Sequence, residues 1–157
     1  MWRMGWLLAA GLLAAPGGAG AVCLRMEVGD APAATMPAAP GAEVRLSFRH
    51  SLYGSEVQED FRLTRKGFQL VRLRYAERRL AEFYGHEAAR LEGGWWVVEN
   101  VGREVAMLTL RVTRDSRMQI GVGAHELRLW EVMEPGGLFR LAVTSCRGGE
   151  DGRQDNR

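Results

Sequence analysis

The chain has 157 residues, a formal net charge of +2, 46% hydrophobic and 25% charged residues. These proportions allow one domain with a real core and exclude both wholesale disorder and a second domain. All but Lys66 of the 21 basic residues are arginine, interleaved with 19 acidic residues in no block of one sign, so there is no nucleic-acid footprint.

Residues 1–21 carry one cation at Arg3, an apolar run from Trp6 to Ala15, a helix break from Pro16 to Gly18 and small residues at Ala19 and Ala21. That layout is read as a secretory signal peptide cut after Ala21, with an exported, periplasmic mature chain. The alternative is an uncleaved inner-membrane anchor over residues 5–22. Its apolar run reaches the roughly 20 residues of a spanning helix only by counting through the Pro/Gly break. After cleavage the chain is expected beside the membrane, not across it.

The mature part is read as a β-domain over 22–147 and a flexible polar tail over 148–157. VCLRMEV (22–28) is a β-like segment, and the Ala/Pro-rich stretch 29–42 reads as an irregular connector, because its prolines forbid a helix interior and a central strand. EVRLSFRH (43–50) and SEVQEDFRLTR (55–65) flank a Tyr53-Gly54 centre, and KGFQLVRLRY (66–75) follows a turn at Lys66-Gly67. In 75–94, Ala76, Leu80, Phe83 and Tyr84 stand at helical spacing, which supports a short helix near 76–90, but Gly85 argues against a long one.

WWVVEN, AMLTLRV, RMQIGV, HELRLWEV and LFRLAVTS then read as strands. They are separated by turn signals at Asn100-Val101-Gly102, Asp115-Ser116, Gly123-Ala124 and Pro135-Gly136-Gly137. The expected fold is all-β: a single-domain antiparallel β-sandwich or small barrel built largely from hairpins. Cys23 and Cys146 fall in the first and just past the last of these segments. An even-numbered pair in an exported chain is compatible with a disulfide worth about 4 kcal/mol in the chain-entropy account. The alternative is two unpaired thiols.

On the first hairpin the apolar residues alternate on both sides of the turn, yet His50 and Glu59 share their parity. With Leu52 opposite Ser55, pairing runs His50 with Val57, Phe48 with Glu59, Leu46 with Phe61 and Val44 with Leu63. His50 and Glu59 then become diagonal neighbours on the inward face, where an imidazole and a carboxylate relieve each other's burial. Ser51, next to His50 on a strand, leaves the opposite face, so a serine–histidine catalytic pair is not expected. The three histidines lack metal-ligand spacing. A zinc site would need folding to gather His50 and Glu59 with His125 or His86. Trp95 and Trp96 place one indole on each face, and Arg62, Arg72 and Arg74 line an outward strand face.

FRHSLYGSEVQEDFRL, with His50-Ser51, the later Glu59 and Phe61, a short CLRMEV before it and LVRLRYAERRLAEFYG after it, resembles a DUF1850-like family of small exported proteins of unknown function. That family is associated with TAXI-type TRAP transporters. The resemblance implies export and a link to a solute transporter, and supplies no mechanism. The expected function is a non-enzymatic accessory or binding domain. Its site is His50, Ser51, Tyr53, Glu59 and Tyr84, its partner is a transporter component or a small organic anion, and it uses no cofactor. The alternatives are a metal-assisted hydrolase using His50 and Glu59 with His125, and a purely structural interaction domain.

Overall fold

The computed structural model describes residues 20–146, so the signal peptide expected over 1–21 and the tail expected over 148–157 lie outside the described residues, apart from Gly20 and Ala21. In chain order the strands are β1 (Val22–Val28), β2 (Ala31–Ala38), β3 (Glu43–Arg49), β4 (Glu56–Leu63) and β5 (Phe68–Tyr75). The helix α1 (Arg78–Phe83) follows, then β6 (Arg90–Glu92), β7 (Trp95–Val105), β8 (Met107–Arg111), β9 (Gln119–Val122), β10 (His125–Arg128), α2 (Leu129–Val132) and β11 (Leu138–Ser145).

Two antiparallel sheets form a sandwich-like fold and no closed barrel. The smaller is ordered β2-β1-β11-β8 and the larger β10-β9-β3-β4-β5-β7-β6. Alternation assigns the faces: Val44, Leu46, Val57, Phe61 and Leu73 of the large sheet and Leu24, Leu108, Phe139 and Leu141 of the small one join a single buried cluster. Cys23 and Cys146 are joined by a disulfide, with Cα atoms 5.0 Å apart. No helix among the described residues is long and apolar enough to cross a membrane.

Three segments differ from expectation. The Ala/Pro-rich connector contains β2, an edge strand, where Pro32 and Pro37 are tolerated because one side of the ladder has no partner. The turn expected at Asn100-Val101-Gly102 is a bulge inside one continuous strand. There the pairing of β5 with β7 shifts between Leu70 and Arg72, and Asn100 and Gly102 take positive φ values of 55° and 72°. HELRLWEV is a strand only as far as Arg128. It then turns into the four-residue α2, which buries Leu129 completely.

The expected short helix is present as α1. It buries Leu80 and Ala81 against the large sheet beside β5 and stops at Gly85, whose φ of 77° suits a left-handed cap. Its last turn is closed by Gly85 N–H donating to the Glu82 carbonyl and His86 N–H to the Ala81 carbonyl, both at 2.9 Å.

The outer face of the large sheet is polar, with one buried carboxylate at its centre. Asp60, 3% exposed, accepts from Arg45 Nε at 2.6 Å and pairs with Arg74 at 3.1 Å. Of the arginines expected to point outward, Arg74 therefore anchors Asp60 and Arg72 pairs with Glu99 at 2.6 Å. The Asp60 hydrogen bond also holds the Arg45 guanidinium above its ordinary pKa.

Candidate functional site

The first hairpin closes one step away from the expected centre. His50 N–H donates to the Ser55 carbonyl at 2.8 Å and Gly54 N–H to the His50 carbonyl at 2.8 Å, enclosing a four-residue loop, 51–54, with Gly54 at φ 65°. The pairs are therefore Phe48 with Val57, Leu46 with Glu59 and Val44 with Phe61. The slip is two residues, so every side chain keeps its expected face and changes its neighbour. His50 and Glu59 share a face but stand four positions apart on β4, roughly 13 Å along the strand. The diagonal His50–Glu59 pair is not formed.

An aromatic cluster surrounds His50 in place of the carboxylate. The imidazole, 8% exposed, lies 5.4 Å from the Tyr53 ring in a stacked arrangement, and edge-on to Phe83 at 5.2 Å and Tyr84 at 5.6 Å. Tyr84 stacks in turn on Tyr75 at 5.6 Å, and the Tyr75 hydroxyl meets Nδ1 of His86 at 2.7 Å. The cluster forms because α1 ends over the hairpin, bringing Phe83 and Tyr84 onto the inward side of β3 to β5. Ser55 Oγ donates to Glu77 Oε1, Arg79 holds the other oxygen of Glu77 at 2.5 Å, and the Arg79 guanidinium sits 4.9 Å over the Tyr53 ring. Arg79 first, and Ser55 second, keep the Glu77 carboxyl below the usual carboxylate range.

Within this enclosure Nδ1 of His50 is buried without a hydrogen-bond partner. Leaving a buried polar atom unpaired costs about 1–3 kcal/mol, a cost a folded chain rarely carries without use. The rim is also unusual: Leu52 is 73% exposed, Phe83 53% and Tyr84 43%. Two exposed aromatic side chains thus lie against a histidine with one unsatisfied ring nitrogen, and exposed Leu52 stands in the adjoining loop.

Glu59 lies half-buried on the same face, and burial first, with Glu59 second, raises the phenols of Tyr75 and Tyr84. Burial pushes the Glu59 carboxyl itself above the ordinary value of 4.5, partly offset by Arg103. Below pH 4.5 this group is protonated whether the chain is folded or not. As pH rises the unfolded chain releases its proton first, so stability falls until the raised folded pKa is passed and stays lower above it. Glu59→Gln is expected to be more stable than the parent at pH 7 and to lose that advantage near pH 4, as read from urea midpoints at the two pH values.

Of the expected site residues, the fold brings His50, Tyr53 and Tyr84 together. It sets Glu59 apart and leaves Ser51 exposed in the loop. His125 is exposed on β10, at the far edge of the large sheet, and among the described residues no group of three or more His, Cys, Asp or Glu is placed to hold a metal ion. The gathering of His50, Glu59 and His125 at one zinc site therefore does not occur. His86, the other alternative metal ligand, is half-buried on Tyr75. Phe83, Tyr75 and Glu77 were not picked out as site residues. Phe83 carried the one available signal, its helical spacing from Leu80.

A family model described as a domain of unknown function (DUF1850) matches residues 44–129. No curated protein and no solved structure matches the chain significantly.

Proposed function

The chain belongs to the DUF1850 family of unknown function, and from that we propose that it is an exported, non-enzymatic accessory domain. In this reading the hairpin end docks a protein component of a TRAP-type solute transporter. The observation that carries the reading is the buried, unpartnered Nδ1 of His50 beside exposed Phe83 and Tyr84, with exposed Leu52 in the adjoining loop. A partner polar group would satisfy Nδ1 once docking moves the covering rings aside, and the exposed apolar side chains would lose their contact with water in the same step. Catalysis is disfavoured by geometry: Ser51 is exposed in the loop while His50 faces the aromatic cluster, so the only hydroxyl nucleophile adjacent to His50 in sequence has no base beside it. The disulfide suits an oxidising compartment and supports export.

Co-purification of the full chain from native membranes, with mass spectrometry of the bound proteins, tests the proposal. A transporter component is expected to accompany the parent protein and to fall tenfold or more with Leu52→Ser, whose 73% exposed position leaves melting nearly unchanged. Equal recovery with Leu52→Ser and His50→Ala, at unchanged melting of Leu52→Ser, would remove the hairpin end from the interaction.

A further inference from the structure

The opposite face of the same hairpin carries a second set of groups. Cross-strand pairing puts Arg128 beside Gln119, Gln119 beside Ser47 and Arg49 beside Glu56, all on the outer face of the large sheet. Together with Arg117 and Trp130 they line a groove of about 440 Å³. Ser47, 5% exposed, and half-buried Gln119 form a polar floor of hydroxyl and amide.

We propose that this groove binds a small, elongated organic dianion with an acidic group at each end, such as a dicarboxylate. Three observations converge on that chemistry. First, three arginines, Arg49, Arg117 and Arg128, line the groove, and Glu56 is the one carboxylate among its lining residues. Arg128 is shared with Glu126 and Glu131, while among the described residues neither Arg49 nor Arg117 makes an ion pair. Guanidinium forks match carboxylates in two-point geometry.

Second, the groove is pre-organised. Arg49 N–H donates to the Ser116 carbonyl at 2.6 Å, which fixes the 113–117 turn against the end of β3. Within that turn Ser116 Oγ donates to the Thr113 carbonyl at 2.7 Å. Arg117 is held at φ 43°, a left-handed conformation that a non-glycine residue adopts at a cost, and its guanidinium lies 5.7 Å over the Trp130 ring. Third, the cations stand on three separate segments, the end of β3, the 113–117 turn and β10, around a space in the range of small-molecule sites. Cations distributed over three segments can engage more than one acidic group of the same ligand. The proposal does not rest on the hairpin-end docking surface: its arginines stand on the outer side of the sheet, although Phe48 and Gly54 of the first hairpin also line the groove.

Isothermal titration of the full chain with succinate, acetate, inorganic phosphate and phosphatidylglycerol vesicles is the test. Succinate is expected to bind saturably at millimolar concentration or below, and acetate and phosphate at least tenfold more weakly. Arg49→Gln and Arg117→Gln, both at exposed positions, are each expected to weaken succinate tenfold or more with melting unchanged. Failure of succinate to saturate, equal affinity in both variants, phosphate binding as tightly as succinate, or binding to vesicles alone would each overturn the assignment.

Discussion

Replacing Cys23 and Cys146 together by serine is expected to lower the stability of the domain by about 4–5 kcal/mol and its melting temperature by roughly 15 °C. The bridge closes a loop with a sequence separation of 123, so its loss returns most of the described chain to unrestricted unfolded conformations. Its native-state contribution is small by comparison. β1 and β11 already pair over seven residue pairs, from Val22 opposite Ser145 to Val28 opposite Phe139, so the ladder remains when the sulfurs are removed. The change should therefore appear in the denaturant midpoint and leave the far-ultraviolet circular dichroism of the folded state unaltered. A loss of 4–5 kcal/mol is large against the roughly 5–15 kcal/mol of a typical domain. Reduced parent protein should melt close to the double variant. A double variant melting within a few degrees of the oxidised parent would show that the unfolded chain is already compact enough to make the bridge redundant.

What was legible in the sequence follows the physical signals that a sequence carries. Period-two alternation in 43–50, 55–65 and 66–75 gave the strands and their inward faces, because a buried face cannot tolerate a one-residue slip. The same period cannot detect a two-residue slip. The loop 51–54 moved the hairpin centre by one residue, exchanged Glu59 for Val57 opposite Phe48 and dissolved the expected His50–Glu59 pair while preserving every face. Prolines 32 and 37 were read as strand breakers, which holds for central strands and fails at an edge. Asn100 and Gly102 were read as a turn because residues that accept positive φ mark turns and bulges alike. α2 is four residues long, too short for helical periodicity to register.

The site was half legible for a related reason. His50, Tyr53 and Tyr84 stood out by parity and position, but the partners that define their surroundings come from contacts distant in sequence. Tyr75 meets His86, and Phe83 meets His50, only because α1 folds back over the hairpin. Ser55 and Glu77, the hydrogen bond that fastens that fold-back, are 22 residues apart, and nothing local in either segment announces the other. The arginine groove was hidden in the same way. Arg49, Arg117 and Arg128 lie in three segments, and only the β10-β9-β3 pairing places them around one space.

Tyr75 is where packing and polarity in the cluster separate, and two substitutions there are expected to differ widely. Its ring is 2% exposed, stacks on Tyr84 at 5.6 Å and lies 5.7 Å from the His86 ring. Tyr75→Ala removes a fully buried aromatic at the junction of β5 and α1, with an expected loss of about 3–5 kcal/mol in chemical denaturation. Tyr75→Phe keeps the ring and loses only the hydroxyl's bond to His86, a loss of about 1 kcal/mol at neutral pH, because half-buried His86 can turn to water. The ordering of the parent and Tyr75→Phe changes with pH. Burial first, and the nearby Glu59 second, raise the Tyr75 phenol above its ordinary 10.0, so below pH 10 it is protonated in both states and its ionisation has no effect on stability. Above pH 10 the unfolded chain loses that proton first, and the parent is destabilised as pH rises, whereas Tyr75→Phe is spared this contribution. The difference between parent and Tyr75→Phe should therefore shrink and then reverse on the alkaline side, a trend that urea melts across pH 8 to 11 would read directly. If Tyr75→Ala cost no more than Tyr75→Phe at neutral pH, the ring would not be the support on which Tyr84 and the rim of the His50 enclosure rest.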